Sequence, residues 1–402
     1  METPKANRKH IVLYGKTNAG KSSLMNRLIG QEISLVSAQS GTTTDPVAKA
    51  VELIPYGPVV LVDTGGMEDE SSLGEMRMHK TRQALEQADL ILYVMEIREN
   101  PARLASLREE IARRDIPAVL AIHKTDEADE AELTAAVQAA RALWSGWEVV
   151  PTSIHDDQSI ETLRHALGRR LGPADGEEPL VGDVIPRGGS CILVIPLDAE
   201  APKGRLILPQ VQVLRDLLDH GIRTTVVRET ELPAALAELG PVDLIVTDSQ
   251  VFHQVEAMVA PEQKLTSFSI ALARQKGDLR ELREGIRRLS ELSEIEQPSI
   301  LIMESCSHNV SHEDIGRVKI PALIRKKLGR EVRFDYAMGN DFPEELARYD
   351  LVVHCGSCMF NRRTMLNRMR RCREAGVPIT NYGMVFAYGT GILDRAIEVF
   401  LP

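Results

Sequence analysis

The chain is 402 residues long with a formal charge of −10. That is too long for one small core, and the acidic balance argues against a general nucleic-acid binder, which needs a basic face. The stretch from Met1 to His10 lacks the apolar segment of a signal peptide, and no run approaches the ~18 apolar residues of a membrane span, so the expectation is a cytoplasmic protein engaging neither membrane nor nucleic acid.

Ile11-Val12-Leu13-Tyr14 reads as a strand that runs into Gly15-Lys16-Thr17-Asn18-Ala19-Gly20-Lys21-Ser22, and helical spacing begins at Ser23. This is a phosphate-binding loop in its required setting. Backbone N–H groups from Gly15 and Asn18 through Ser23 wrap the phosphates, Lys21 reaches the β and γ phosphates, and the Ser22 hydroxyl binds Mg²⁺. Gly41-Thr42-Thr43-Thr44-Asp45 is a polar loop in which Thr43 is expected to close on Mg²⁺. Val59 to Val62 makes a strand ending at Asp63-Thr64-Gly65-Gly66. There Asp63 would hold Mg²⁺ through a water, and Gly65 or Gly66, Gly66 being the choice, would offer the γ phosphate a backbone N–H.

Ala118 to Ile122 leads into His123-Lys124-Thr125-Asp126. The Asp126 carboxylate can accept from N1–H and N2–H₂ of guanine, donors that adenine lacks, while the Lys124 stem lies along the base. Val149-Val150-Pro151-Thr152-Ser153-Ile154 supplies the strand and loop that cover it, with Ser153 and Ile154 nearest. With these elements in this order, residues 10 to about 171 resemble the GTPase domain of the Era-like branch of translation-factor-type GTPases. Two positions depart from that pattern. His123 stands where an Asn is usual, and Met67 stands where a glutamine often orients water, which implies slow intrinsic hydrolysis. Relatives with the second substitution use a monovalent cation held partly by the loop asparagine, so the match at Asn18 implies stimulation by K⁺.

Gly172 to Pro179 interrupts the periodic pattern with Pro, Gly and acids, as a linker does. The expected organisation is a P-loop GTPase domain over 1–172, a linker over 173–183, a middle domain over 184–275 and a last domain over 276–402, all α/β with parallel sheets. The middle domain reads as strands at Cys191–Ile195, Thr224–Val227, Leu244–Thr247 and Leu265–Ile270, with a helix over Leu208–His220. It shows no phosphate loop or catalytic cluster, so it is expected to be scaffold or oligomer contact, with Cys191 in its core.

The last domain has strands near 299–304, 332–336, 350–354 and 377–381. Cys306-Ser307-His308 follows the first, and His354-Cys355-Gly356-Ser357-Cys358 ends the third. Both follow apolar runs of the buried parallel type, and ligands gather beyond the carboxyl ends of such strands, so neighbouring strands would bring Cys306 to Cys355 and Cys358. The chain has five cysteines, and an odd number with three clustered fits metal ligation better than a disulfide framework. Zinc would be closed by these sulfurs plus His308 or His354. A four-iron cluster on three thiolates would instead keep one iron open to a labile or non-cysteine ligand. The residues alone do not choose between the two. Glu304 offers a weak oxygen donor or a solvated strand end, and His312 reads equally as an exposed helix residue. The run Asn361 to Arg373 reads either as a basic surface for an anionic ligand or acidic partner, or as a solvated helix face with Met365, Leu366, Met369 and Cys372 turned inward.

An Era-like GTPase domain, a middle α/β domain, and Cys-x-His followed by His-Cys-x-x-Cys together resemble the HydF family, GTPases that mature iron-iron hydrogenase. The resemblance covers the whole chain. It implies a 4Fe-4S cluster on Cys306, Cys355 and Cys358, with His308, His354 or a carboxylate as exchangeable fourth ligand. It also implies a homodimer joined through the middle domain. The partners it implies are the apo-hydrogenase and two radical-SAM maturation enzymes, with this chain as scaffold or carrier for the two-iron precursor and GTP, Mg²⁺ and K⁺ as cofactors. The rival is a ribosome- or tRNA-associated GTPase with a structural zinc domain. An autonomous metalloenzyme fits less well, because no acid–base pair accompanies the thiolates.

Overall fold

The computed structural model describes residues 8–30, 47–54, 56–64, 84–101, 105–172, 178–196, 206–304, 315–339, 341–357 and 360–401. The chain divides into two compact units, Met1–Gly176 and Glu177–Pro402.

The first unit is built on a six-stranded sheet. Its strands are β1 (Lys9–Tyr14), β2 (Val47–Leu53), β3 (Gly57–Asp63), β4 (Leu90–Glu96), β5 (Ala118–His123) and β6 (Glu148–Thr152). They lie in the order β2-β3-β1-β4-β5-β6, and only the β2–β3 pair is antiparallel. The parallel strands read as unbroken apolar runs because helices cover both faces. Leu13, Leu61 and Leu92 go to one core; Val12, Val60 and Tyr93 go to the other. The sheet therefore delivers the ends of β1, β3, β5 and β6 to one edge, where ligands collect in such folds.

The second unit carries two parallel four-stranded sheets. One orders β7 (Ser190–Val194), β8 (Arg223–Val227), β9 (Leu244–Thr247) and β10 (Leu265–Ser267) as β10-β9-β7-β8. The other orders β11 (Ser299–Glu304), β12 (Arg333–Met338), β13 (Leu351–His354) and β14 (Ile379–Asn381) as β12-β11-β13-β14. A single apolar cluster runs from Ile192, Val194 and Ile245 of the first sheet to Ile300, Ile302 and Val353 of the second. Leu180 and Val181, near the far end of the expected linker, are packed, and Asp216 accepts from the Val181 and Gly182 N–H groups at 2.8 and 2.7 Å.

The fourth strand of the first sheet stops earlier than its apolar pattern suggests. Ser267 caps the helix Phe268–Lys276, its hydroxyl accepting from Ile270 N–H, so β10 ends where the sequence pattern continues. Cys191 is buried in an aliphatic core, as expected, and burial pushes its thiol well above the usual range. No helix among the described residues is long and apolar enough to cross a membrane.

Candidate functional site

The phosphate loop leaves β1 through Gly15, whose φ is +149° and whose Cβ would stand 2.3 Å from the Val94 carbonyl oxygen, so only glycine fits. Asn18 is exposed in a left-handed conformation, φ 65°, and Ala19 is buried. Gly20, φ 91°, precedes the helix Lys21–Ile29 without a side-chain cap hydrogen bond, the end of a helix at which anions are received. Lys21 Nζ donates to the carbonyls of Gly15 and Lys16 at 2.9 and 2.6 Å. Burial lowers its pKa, and Asp63 partly opposes that shift. Ser22 Oγ donates to Asp63 Oδ2 at 2.5 Å, and Ser23 beside it is exposed. Thr64 fixes the end of β3 by donating its hydroxyl to the Leu13 carbonyl at 2.7 Å. Thr43, Gly66 and Met67 lie outside the described residues.

The second cluster forms where β5 and β6 end. His123 and Thr152 are register partners, with Nδ1 3.1 Å from Thr152 Oγ1. That hydroxyl gives its proton to the Ile122 carbonyl at 3.3 Å, so the ring donates from Nδ1 and keeps a lone pair on Nε2. The Nε2 edge lies against the loop: a Cβ on Gly20 would stand 2.8 Å from Nε2 and 2.5 Å from Cδ2. His123 thus ties the base-recognition segment to the phosphate loop. Lys124, φ 62°, donates to Glu96 Oε1 at 3.0 Å. Ser153 Oγ donates to Asp126 Oδ1 at 2.6 Å, and that bond is the main cause holding the carboxyl below its ordinary pKa. The Ile154 carbonyl accepts from Arg27 Nε at 3.1 Å.

The third cluster belongs to the second unit. β11 and β13 are parallel neighbours with Met303 opposite His354, and Cys355 N–H donates to the Met303 carbonyl at 2.8 Å. Glu304 ends β11, two residues before Cys306 in the chain, and its carboxylate accepts from Arg317 Nε and Nη2, both at 3.2 Å. Cys355 is half-buried, and Ser357 is buried with φ 55°. Cys306, His308, His312 and Cys358 lie outside the described residues. Among the described residues no group of three or more His, Cys, Asp or Glu side chains forms a metal site.

His354, named from sequence as a candidate ligand, is 0% exposed with both ring nitrogens engaged. Nδ1 is 2.8 Å from the Cys355 carbonyl, and Nε2 is 2.6 Å from Arg368 Nη1. Burial first, and the Arg368 charge second, bring its pKa down to about 3. Arg368 comes from the helix Arg362–Glu374, the arginine run of the sequence. Much of that run is used within the fold. Arg362 donates to the Gln275 carbonyl at 2.8 Å, Arg371 to the Pro343 carbonyl at 2.8 Å, and Arg373 to Glu281 at 2.5 Å. Met365, Met369 and Cys372 do face inward, and burial pushes the Cys372 thiol up to about 12. Arg368 belongs to the run read as a basic surface or a solvated face, yet its spacing puts it on the same inward stripe as Met365, Met369 and Cys372.

A sequence model described as the hydrogen maturase F tetramerization domain matches residues 280–399, and one described as the hydrogen maturase F dimerization domain matches residues 180–277. The two meet across the second unit. The chain belongs to the hydrogen maturase F family. Members of this family are the HydF proteins anticipated from the sequence, and the chain carries both oligomerization domains of hydrogen maturase F. Residues 10–124 match a model described as a 50S ribosome-binding GTPase, so the first unit is a GTPase domain.

Among curated proteins, the tRNA modification GTPase MnmE of Chromobacterium violaceum is 33% identical over 171 residues, covering 42% of this chain and 36% of the relative. MnmE of Xanthomonas oryzae pv. oryzae is 34% identical over 177 residues, covering 43% and 36%. The chain thus spans about a third of the length of these relatives. Among solved structures, Aquifex aeolicus Era bound to GDP-AlF4⁻ is 19% identical, covering 57% of this chain and 98% of that one, with a TM-score of 0.33.

Proposed function

We propose that this hydrogen maturase F family member binds and hydrolyses GTP, holds a 4Fe-4S cluster on Cys306, Cys355 and Cys358, and carries the two-iron precursor of the hydrogenase site to the apo-hydrogenase. The observation that supports this most directly is the pairing of β11 with β13 through Cys355 N–H and the Met303 carbonyl. It starts the segment leading to Cys306 and the loop bearing Cys355 and Cys358 from one edge of one sheet, with a half-buried thiol already there. Three thiolates suit such a cluster, and when bound it supplies one iron whose remaining position can accept and release a guest.

On the nucleotide side, Lys21 exchanges the Gly15 and Lys16 carbonyls for the β and γ phosphates, and Ser22 and Asp63 part to admit Mg²⁺. Asp126 receives the guanine N–H groups, with Lys124, Ser153 and Ile154 around the base, while Thr43 and Gly66 complete the γ-phosphate contacts. Turnover is slow and K⁺-stimulated. Nucleotide state alters contacts with two radical-SAM enzymes, the hydrogenase and further copies of the chain, leaving bond chemistry to the cargo site.

Anaerobic reconstitution with iron and sulfide tests the reading. A brown protein is expected, losing its colour in Cys355→Ser and Cys358→Ser while GTP turnover persists, and activating apo-hydrogenase when loaded with precursor. A colourless zinc protein would favour a ribosome- or tRNA-associated GTPase with a structural metal.

A further inference from the structure

His354 closes β13 with both ring nitrogens committed inside the protein. The Cys355 carbonyl, 2.8 Å from Nδ1, can only accept, so the ring proton sits on Nδ1. Nε2 is then the lone-pair nitrogen, and it faces Arg368 Nη1 at 2.6 Å. An arginine stays protonated, so this contact has one polarity: guanidinium donates and imidazole accepts. Arg368 is held as firmly as its partner. It is 1% exposed, its Nη2 donates to the Gly339 carbonyl at 2.6 Å, and its guanidinium lies 4.4 Å from the centre of the Phe360 ring and 5.3 Å from that of Phe342. Ser357 braces the same loop, in a left-handed conformation with Oγ 3.2 Å from His354 Nδ1.

We propose that His354 and Arg368 form a positioning pair that orients residues 355–357, and that His354 is not itself a ligand of the group proposed for Cys355. Ligation through Nε2 would take that lone pair from Arg368 and leave a buried guanidinium proton without its acceptor. Ligation through Nδ1 would give up the Cys355 carbonyl and reverse the tautomer. Either route dismantles the support that fixes the loop, whereas an imidazole acting from behind supports the loop by its hydrogen bonds, as partners of metal ligands commonly do. The inference rests on the cluster reading for the loop's cargo alone; the pair itself exists without metal.

Three measurements on the full chain test it. In metal-free protein labelled with ¹⁵N-histidine, the His354 resonances, assigned by their loss in His354→Gln, are expected to show the Nδ1–H tautomer. An Nε2–H or doubly protonated ring near neutral pH overturns the pair. In reconstituted, reduced protein, pulsed EPR should give the same nitrogen couplings for wild type and His354→Gln; loss of a bound-imidazole coupling in the variant overturns the non-ligand role. In Arg368→Met, amide exchange at residues 355–357 is expected to quicken about 10-fold, with β7 and β9 unchanged and partial restoration in Arg368→Lys. Unchanged exchange overturns the positioning role. If wild type takes up no iron, the cluster reading falls and the tautomer and exchange results decide the pair.

Discussion

Ser22 Oγ and Asp63 Oδ2 stand 2.5 Å apart, so the first turn after the phosphate loop is joined directly to the last residue of β3. In the proposed function these are the oxygens between which Mg²⁺ would be held, the hydroxyl directly and the carboxylate through water. Ser22→Ala should therefore raise the Mg²⁺ concentration needed for half-maximal GTP turnover by about 10-fold or more, and Asp63→Asn by less. Initial rates across a Mg²⁺ series read this. A wild-type Mg²⁺ requirement in Ser22→Ala would place the metal elsewhere.

His123 links two motifs, and its burial sets a pH dependence. Desolvation holds the ring below its ordinary pKa, opposed by the Thr152 backbone, Asp126 and Glu127 and reinforced by Lys124. Near pH ~6.5 the unfolded chain takes up a proton that the folded ring refuses, so the stability from the neutral ring is complete above that value and is lost as pH falls from there towards the folded pKa. The slope is at most one proton, about 1.4 kcal/mol per pH unit. The chain has 2 tryptophans, Trp144 and Trp147, both in the first unit, so their fluorescence follows that unit during urea unfolding. Wild-type stability should drop more steeply than that of His123→Asn as pH falls below about 6.5. Parallel curves would mean that His123 titrates as it does in water.

The strands were legible because parallel sheets covered on both faces leave unbroken apolar runs such as Ile300 to Met303 and Leu351 to Val353, and the phosphate loop because its glycines answer to backbone geometry alone. What could not be read was whatever depends on packing between distant segments. Nothing local says that Ile192 and Ile300 share a core. Ser267 ended a strand early because a capping hydroxyl outweighed the apolar residues beyond it. Arg368 was hidden by its neighbours: amid so many arginines it reads as surface, although Met365, Met369 and Cys372 mark the buried stripe on which it falls. His354 was named a candidate ligand from its place beside Cys355, and the two contacts its ring nitrogens make, with the Cys355 carbonyl and Arg368, could not be read there.

The second unit contains a tight spot at Gly285. Gly285, inside the helix Leu279–Glu291, lies so close to β14 that a Cβ would stand 2.2 Å from the Ile379 carbonyl oxygen and 2.9 Å from Thr380 Cβ. Thr380 Oγ1 donates to the Leu282 carbonyl at 2.9 Å across the same contact. An alanine would ordinarily favour a helix by up to about 1 kcal/mol over glycine. Here the obstacle is backbone that cannot step aside, so Gly285→Ala should cost the second unit about 3 kcal/mol. Circular dichroism should show the loss while tryptophan-monitored unfolding of the first unit stays as in wild type. An unchanged or raised stability would mean that the helix can shift off the sheet.

Asn18 meets the demand of the turn and, in the proposed function, that of a monovalent cation, and the two can be separated. Its φ of 65° is a conformation that asparagine tolerates, so the turn alone would justify the residue. Its exposed side chain, beside the loop that wraps the phosphates, is also where a monovalent cation would be held. Asn18→Ala confounds these, because the left-handed backbone costs alanine about 1–2 kcal/mol. Asn18→Gly keeps the turn and removes only the amide. Wild type should hydrolyse GTP several-fold faster in K⁺ than in Na⁺, and Asn18→Gly should fall to the Na⁺ rate in both while still binding nucleotide. If the glycine variant keeps its K⁺ response, asparagine is present for its backbone and the stimulating ion, if any, is held by other groups; if wild type shows no preference, hydrolysis without a water-orienting glutamine must draw its help from a partner protein instead.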